Sequence, residues 1–172
     1  MKLIPLSQNS YKNHGKYSAQ VDDEDFEYLN QWIWSAIKNN SGNCYAIRSD
    51  YSLGTKNKVR IWMHRLIMKT PIEMDVDHKD RNGWNNQKSN LRNCTRYENC
   101  LNRKKVNKTN YKGVTENKSS HNGKDYIYWR AAIVVNKKRI HLGTFSSAIA
   151  AALAYNAAAI KHHGEFANIN QI

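Results

Sequence analysis

The stretch YIYWRAAIVVNKKRIHLGTFSSAIAAALAYNAAAIKHHG, residues 126–164, limits the possible folds more than any other part of this chain. Its first ten residues are rich in β-formers and alternate cleanly. Ile127, Trp129, Ala131, Ile133 and Val135 share one face; Tyr128, Arg130, Ala132 and Val134 share the other. Asn136-Lys137 is a two-residue polar turn, and KRIHLGTF is a further strand in which Ile140 and Leu142 oppose Arg139 and His141. SSAIAAALAYNAAAIKHHG then reads as one helix. Ser146 or Ser147 caps it, alanine fills it, His162 and His163 sit in its last turn, and Gly164 ends it. With YKGVTEN as the first strand, residues 111–172 predict three strands packed on one helix. The apolar set faces the small helix side chains, Trp129 and Tyr155 belong to the core, and the other sheet face is left basic and aromatic.

Upstream, KKVNKTN at 104–110 is polar and basic with no apolar anchor, so 106–110 is expected to link an N-terminal region, 1–105, to the C-terminal unit. VDDEDFEYLNQWIW predicts a short helix with an acidic start and Phe26, Leu29, Trp32 and Ile33 at helical spacing. CYAIRSDY and VRIWMHRLIM read as strands flanking the turn SLGTKNK. Residues 1–60 either complete the core around residues 61–105 or contact a partner themselves.

Charge narrows the partner. The chain carries +13 over 172 residues, with +6 in residues 106–172 and +7 in residues 1–105. A basic balance in both halves points to a polyanion, DNA or RNA before a membrane surface, since no basic amphipathic helix is visible. Solubility alone is the plainer account. No run approaches the roughly 18 apolar residues of a membrane span, and the N-terminus lacks a secretory pattern, so a soluble cytoplasmic protein is expected. Three cysteines without a CxxC argue against a disulfide framework and against a four-cysteine zinc site.

The chemistry is concentrated in VDHKDRNGWNNQKSNLRNCTRYEN, residues 76–99. Asp77 and His78 are adjacent, so they converge on one site only where a strand ends or bends. NGWNN supplies a loop there. Thr95-Arg96-Tyr97-Glu98 fits a capping box that starts a helix carrying Asn99. One carboxylate and one amide oxygen make a hard, oxygen-only set suited to Mg²⁺ or Mn²⁺. A neutral imidazole beside it can take a proton from water, which then attacks phosphorus. Pattern alone leaves His78 evenly divided between a structural and a chemical role.

Residues 76–103 closely resemble the HNH nuclease motif in its phage and intron homing variant. The likeness lies in Asp77-His78, Ser89-Asn90-Leu91-Arg92, Thr95, Glu98-Asn99 and Asn102-Arg103, with Met63-His64-Arg65-Leu66 upstream. The resemblance implies a ββα-metal unit. In it His78 is the general base, Asp77 and Asn99 are metal ligands, and Asn90 holds the loop that orients His78. The third position is asparagine, a choice that many homing members share. His64 is either a phosphate contact or a support behind the site residues, or else a histidine packed between strand and helix, the last being preferred. Arg65, Arg92, Arg96 and Arg103 are expected phosphate contacts, though any one of them can equally be a solvated surface charge.

The C-terminal unit resembles the DNA-binding domain of plant APETALA/ethylene-response factors. YKGV, WRAAI, KRIHLGTF and AALAYNAAAIKHHGEFANIN carry the likeness over about the last 60 residues. It implies that Lys112, Thr115, Asn117, Arg130, Val134, Arg139 and His141 lie on or beside the DNA-facing surface. The plant domains have arginines and tryptophans where this chain has Thr115, Asn117, Val134 and His141, so their fold should carry over and their target sequence should not.

The expectation is an α+β chain: a ββα-metal HNH region followed by a small three-stranded antiparallel sheet on one helix. Its function would be that of a site-specific, monomeric DNA endonuclease that nicks double-stranded DNA with Mg²⁺ or Mn²⁺ and no small-molecule cofactor. If phage-encoded, it would act in the cytoplasm of a bacterial host. The rivals are a DNA-binding regulator with a vestigial motif and a structural or RNA-binding basic protein.

Overall fold

The computed structural model describes residues 1–7, 17–38, 42–52, 59–103 and 109–172. Residues 53–58 of the expected turn and 104–108 of the expected linker lie outside these. The class is mixed α+β, and the chain divides into two compact units, Met1–Asn99 and Cys100–Ile172. No helix of the described residues is long and apolar enough to cross a membrane.

The first unit is built on a five-stranded sheet in the order β2-β1-β3-β4-β5. Its strands are β1 (Lys2–Ser7), β2 (Tyr17–Val21), β3 (Trp34–Lys38), β4 (Cys44–Asp50) and β5 (Val59–Trp62). Only the β1–β3 pair is parallel. Alternate residues Ile4 and Leu6 of β1 and Ala19 and Val21 of β2 point inward, against Leu29, Trp34, Ala46 and Met63. Burying each larger apolar side chain contributes about 1.5–3 kcal/mol. Trp34 is wholly enclosed, and its indole N–H is satisfied by Leu29 O at 2.8 Å.

Helix α1 (Asp23–Leu29) has its acidic first turn, but it stops before Trp32 and Ile33. Trp32 packs on the core while Ile33 is 82% exposed, so the apolar run outlasts the helix. VRIWMHRLIM is half strand: after Trp62 the chain turns into α2 (Met63–Ile67). The adjacent residues Met63 and His64 are both buried, which a strand with one solvent face does not allow.

A two-stranded sheet, β6 (Asp75–His78) with β7 (Leu91–Cys94), is followed by α3 (Arg96–Leu101). The loop between β6 and β7 is clamped to the first sheet. Gln20 N donates to Trp84 O at 2.7 Å, Asn86 N donates to Gln20 O at 2.8 Å, and the Tyr17 and Trp84 rings stack at 5.5 Å. Asp22 accepts from Gln87 Nε2 at 3.1 Å and Lys88 N at 2.8 Å. Gly83 lies so close to β4 that a Cβ there would stand 1.8 Å from Cys44 O. The N-terminal strands therefore complete the core that carries the motif.

The second unit holds the antiparallel sheet β10-β9-β8, from β8 (Val114–His121), β9 (Lys124–Val135) and β10 (Lys138–Phe145). Both hairpins turn on two residues with positive φ, Asn122-Gly123 (51° and 73°) and Asn136-Lys137 (49° and 65°). That geometry matches the twist of the flanking strands. Helix α4 (Ala148–His163) starts at Ser147, whose hydroxyl accepts from Ala150 N at 3.1 Å, and ends at Gly164. Ala151, Ala152, Tyr155 and Ala159 pack on Val114, Ala131 and Ile133. Trp129 is partly buried against this core, and Ile127 lies beyond it, half exposed. Cys100–Arg103 belongs with this unit: Asn168 Nδ2 donates to Asn102 O at 3.1 Å and Arg103 O at 3.0 Å.

Candidate functional site

The β6–β7 register pairs Asp75 with Cys94, Val76 with Asn93, Asp77 with Arg92 and His78 with Leu91. Alternation puts Asp75, Asp77, Arg92 and Cys94 on one face, with Val76, His78, Leu91 and Asn93 on the other, so His78 can meet the Asp77 side only through the bend where the strand ends. His78 is the last residue of β6, so its successor is already loop.

On the first face, Arg92 donates from Nε and Nη2 to Asp77 Oδ2, at 2.9 and 2.6 Å. Asn99, on α3, donates through Nδ2 to Asp75 Oδ2 at 3.2 Å. The capping box fixes this helix. Glu98 N donates to Thr95 Oγ1 at 3.2 Å, and Thr95 N donates back to Glu98 Oε2 at 2.7 Å. Burial, reinforced by Asp77, Asp75 and Glu98, pushes the Cys94 thiol up to about 12, so it stays protonated.

His78 is buried among rings and amides. Its ring centroid lies 5.2 Å from that of His64 at 78°, and 6.0 Å from that of Tyr45. Its Nε2 is 3.4 Å from Asn86 Oδ1. Burial lowers its pKa below the usual imidazole value, opposed by the Asn86 bond and by Asp80 and Asp77. Burial acts harder on His64, aided by His78 and Arg65, and brings it down to about 3. Both rings are therefore neutral near pH 7. His64 is a packed histidine, and what it packs on is His78; its Nδ1 is buried with no hydrogen-bond partner among the described residues.

Asn90 pins the loop from within. It donates through Nδ2 to Asp80 Oδ1 at 2.9 Å and Asn85 O at 2.8 Å, and its Oδ1 accepts from Asp80 N at 3.1 Å. Its carbonyl accepts from Lys79 N at 2.9 Å, directly after His78. Asp80 and Asn82 add tight side-chain turns to Asn82 N at 2.8 Å and Trp84 N at 3.1 Å.

A hard divalent cation wants oxygen donors. Among the described residues no three His, Cys, Asp or Glu side chains are grouped to enclose a metal. Asp75 and Asp77 instead share one face, Asp77 buried beneath Arg92, with the Asn99 amide against Asp75; this is the oxygen chemistry Mg²⁺ uses when it keeps waters and takes substrate phosphate. The donor chemistry fits, with Arg92 already standing on Asp77.

The four arginines separate. The Arg65 guanidinium is committed to the backbone, donating to Met74 O at 2.6 Å and Pro71 O at 2.7 Å. Arg92 is committed to Asp77. Arg96 is 84% exposed and 3.9 Å from Asp75, and Arg103 is exposed. Asp75, Asn86 and Tyr45 were not singled out in the sequence. Asp75 was within reach, because a residue two before Asp77 shares its face.

In the second unit, Thr115 and Asn117 of β8, Arg130 and Ala132 of β9, and Arg139 and His141 of β10 line one concavity of about 270 Å³ on the sheet face opposite α4. Val134 pairs with Arg139 on the same face and is half exposed. Arg130 lies over the Tyr128 ring at 5.4 Å. Lys112 is placed elsewhere: its Nζ donates to Leu101 O, at the end of α3.

No protein-family model matches the chain. It is 36% identical over 124 residues to an uncharacterised HNH endonuclease of Acanthamoeba polyphaga mimivirus. The match takes in 71% of this chain but only 61% of that relative's length. The likeness supports a relationship to HNH nucleases.

Proposed function

We propose that this chain is a metal-dependent DNA endonuclease of the HNH homing type that nicks duplex DNA. The observation that carries the proposal is the single short unit β6–loop–β7–α3. In it the buried His78 stands at a strand end, Asp77 and Asp75 share a face of the hairpin, and Asn99 of α3 lies against Asp75. His78 takes a proton from the attacking water, and Asn90 keeps the loop that starts at Lys79 in place. Asp77 and Asn99 would hold Mg²⁺ or Mn²⁺, which when bound stabilises charge on the phosphate and the leaving oxygen. A single unit of this kind attacks one strand, hence a nick.

The second unit serves as the reader in this proposal. Arg130, Arg139, Thr115, Asn117 and His141 present cations and polar groups from one twisted sheet face, a surface of the type that enters the major groove. Tethering it to the nuclease raises the local concentration of the cutting unit at its site.

One observation favours a second reading. Arg92 occupies Asp77, as it would in a sequence-specific DNA-binding regulator whose motif no longer binds metal. Incubating supercoiled plasmid with Mg²⁺ or Mn²⁺ and with EDTA separates the two. The nuclease converts it to open circles only with metal, and the regulator binds without cutting.

A further inference from the structure

Asn86 is wholly buried, 0% exposed, at the base of the β6–β7 loop. Its side-chain NH₂ faces two backbone carbonyls, Trp84 O at 3.2 Å and Gly83 O at 3.5 Å. Its backbone N–H is committed to Gln20 O at 2.8 Å. Turning the amide over would set its oxygen against both carbonyls, lone pair to lone pair. The amide oxygen is therefore the atom that meets His78 Nε2, at 3.4 Å. An amide oxygen can only accept, so the imidazole nitrogen opposite must carry hydrogen.

We infer that Asn86 is the positioning residue that holds His78 as its Nε2–H tautomer, leaving the lone pair on Nδ1 as the base. This rests on His78 being the general base. In the step it prepares, the water O–H bond breaks and its proton goes to Nδ1. The water oxygen bonds to phosphorus, the bond from phosphorus to the leaving sugar oxygen breaks, and that oxygen takes a proton from solvent. The Tyr45 and His64 rings beside His78 restrict rotation of its ring, so the tautomer also fixes a direction. A neutral amide suits this task better than a carboxylate, which would favour imidazolium and fill the base before it acts.

The test is ¹⁵N-imidazole NMR on the full chain, with the His78 signals assigned by their loss in His78→Ala. The wild type should show a protonated Nε2 and a lone-pair Nδ1. Asn86→Ala should mix the two tautomers and lower the nicking kcat by about 10- to 100-fold with little change in KM for DNA. A wild-type Nδ1–H tautomer overturns the inference, as does a tautomer unchanged in Asn86→Ala. Should Asn86→Ala fail to fold, the wild-type spectrum decides. Nicking at the wild-type rate by His78→Ala would defeat the base reading separately, leaving the tautomer result intact.

Discussion

Arg92 stands directly across the hairpin from Asp77 and places two N–H groups on the same carboxylate oxygen. The side chains are only 11% and 6% exposed. A buried carboxylate stripped of such a partner costs about 3–5 kcal/mol. Arg92→Ala should therefore lower the unfolding free energy by about that amount in EDTA. Mg²⁺ or Mn²⁺ at Asp77 can replace the missing positive charge, so the variant should gain more from added metal than the wild type does. Melting curves with and without metal measure this, and a variant insensitive to metal would argue against an ion at Asp77.

Gly83→Ala should destabilise the first unit, because the new methyl would meet Cys44 O at 1.8 Å, a backbone atom that cannot swing aside. The expected loss is at least about 1–3 kcal/mol. Urea unfolding reads it. Wild-type stability would mean that the loop is not clamped to β4.

Stability should fall with acid. His64 titrates at about 3 in the folded chain and near about 6.5 when unfolded. Between those values the unfolded state binds the extra proton. Its contribution is thus intact above about pH 6.5 and shrinks by about 1.4 kcal/mol per pH unit below it. His78, also lowered, adds the same sign. Urea midpoints from about pH 7 to about pH 5 should fall, and His64→Phe, which keeps a ring and removes one titration, should flatten the slope. An unchanged slope would show that His64 titrates normally.

Arg130→Ala and Arg139→Ala should each weaken duplex binding and reduce its salt dependence by about one in the log–log slope if they meet phosphate. Binding titrations over a salt series test this. If neither slope changes, the concave face is not where DNA sits.

Much of this was legible in the sequence, for physical reasons. The second unit was readable because its strands alternate strictly and its helix has a serine cap and a glycine stop, all local signals. The same holds for Thr95 and Glu98, three residues apart. The β1, β2 and β3 strands were not foreseen; they are five or six residues long and depend on partners far along the chain. Arg65 illustrates the limit for single residues. A basic side chain beside a nuclease-like motif suggests phosphate, yet the carbonyls of Pro71 and Met74 hold it. Asn86 shows the reverse, since one asparagine in an asparagine-rich turn gives no sign that its amide will face an imidazole.

The most direct measurement is nicking of supercoiled plasmid by the wild type and His78→Ala in parallel, with Mg²⁺ or Mn²⁺ and with EDTA, alongside duplex binding by both. The account predicts metal-dependent open circles from the wild type and none from the variant, with binding within a few-fold. Metal-dependent nicking by His78→Ala at the wild-type rate would contradict it.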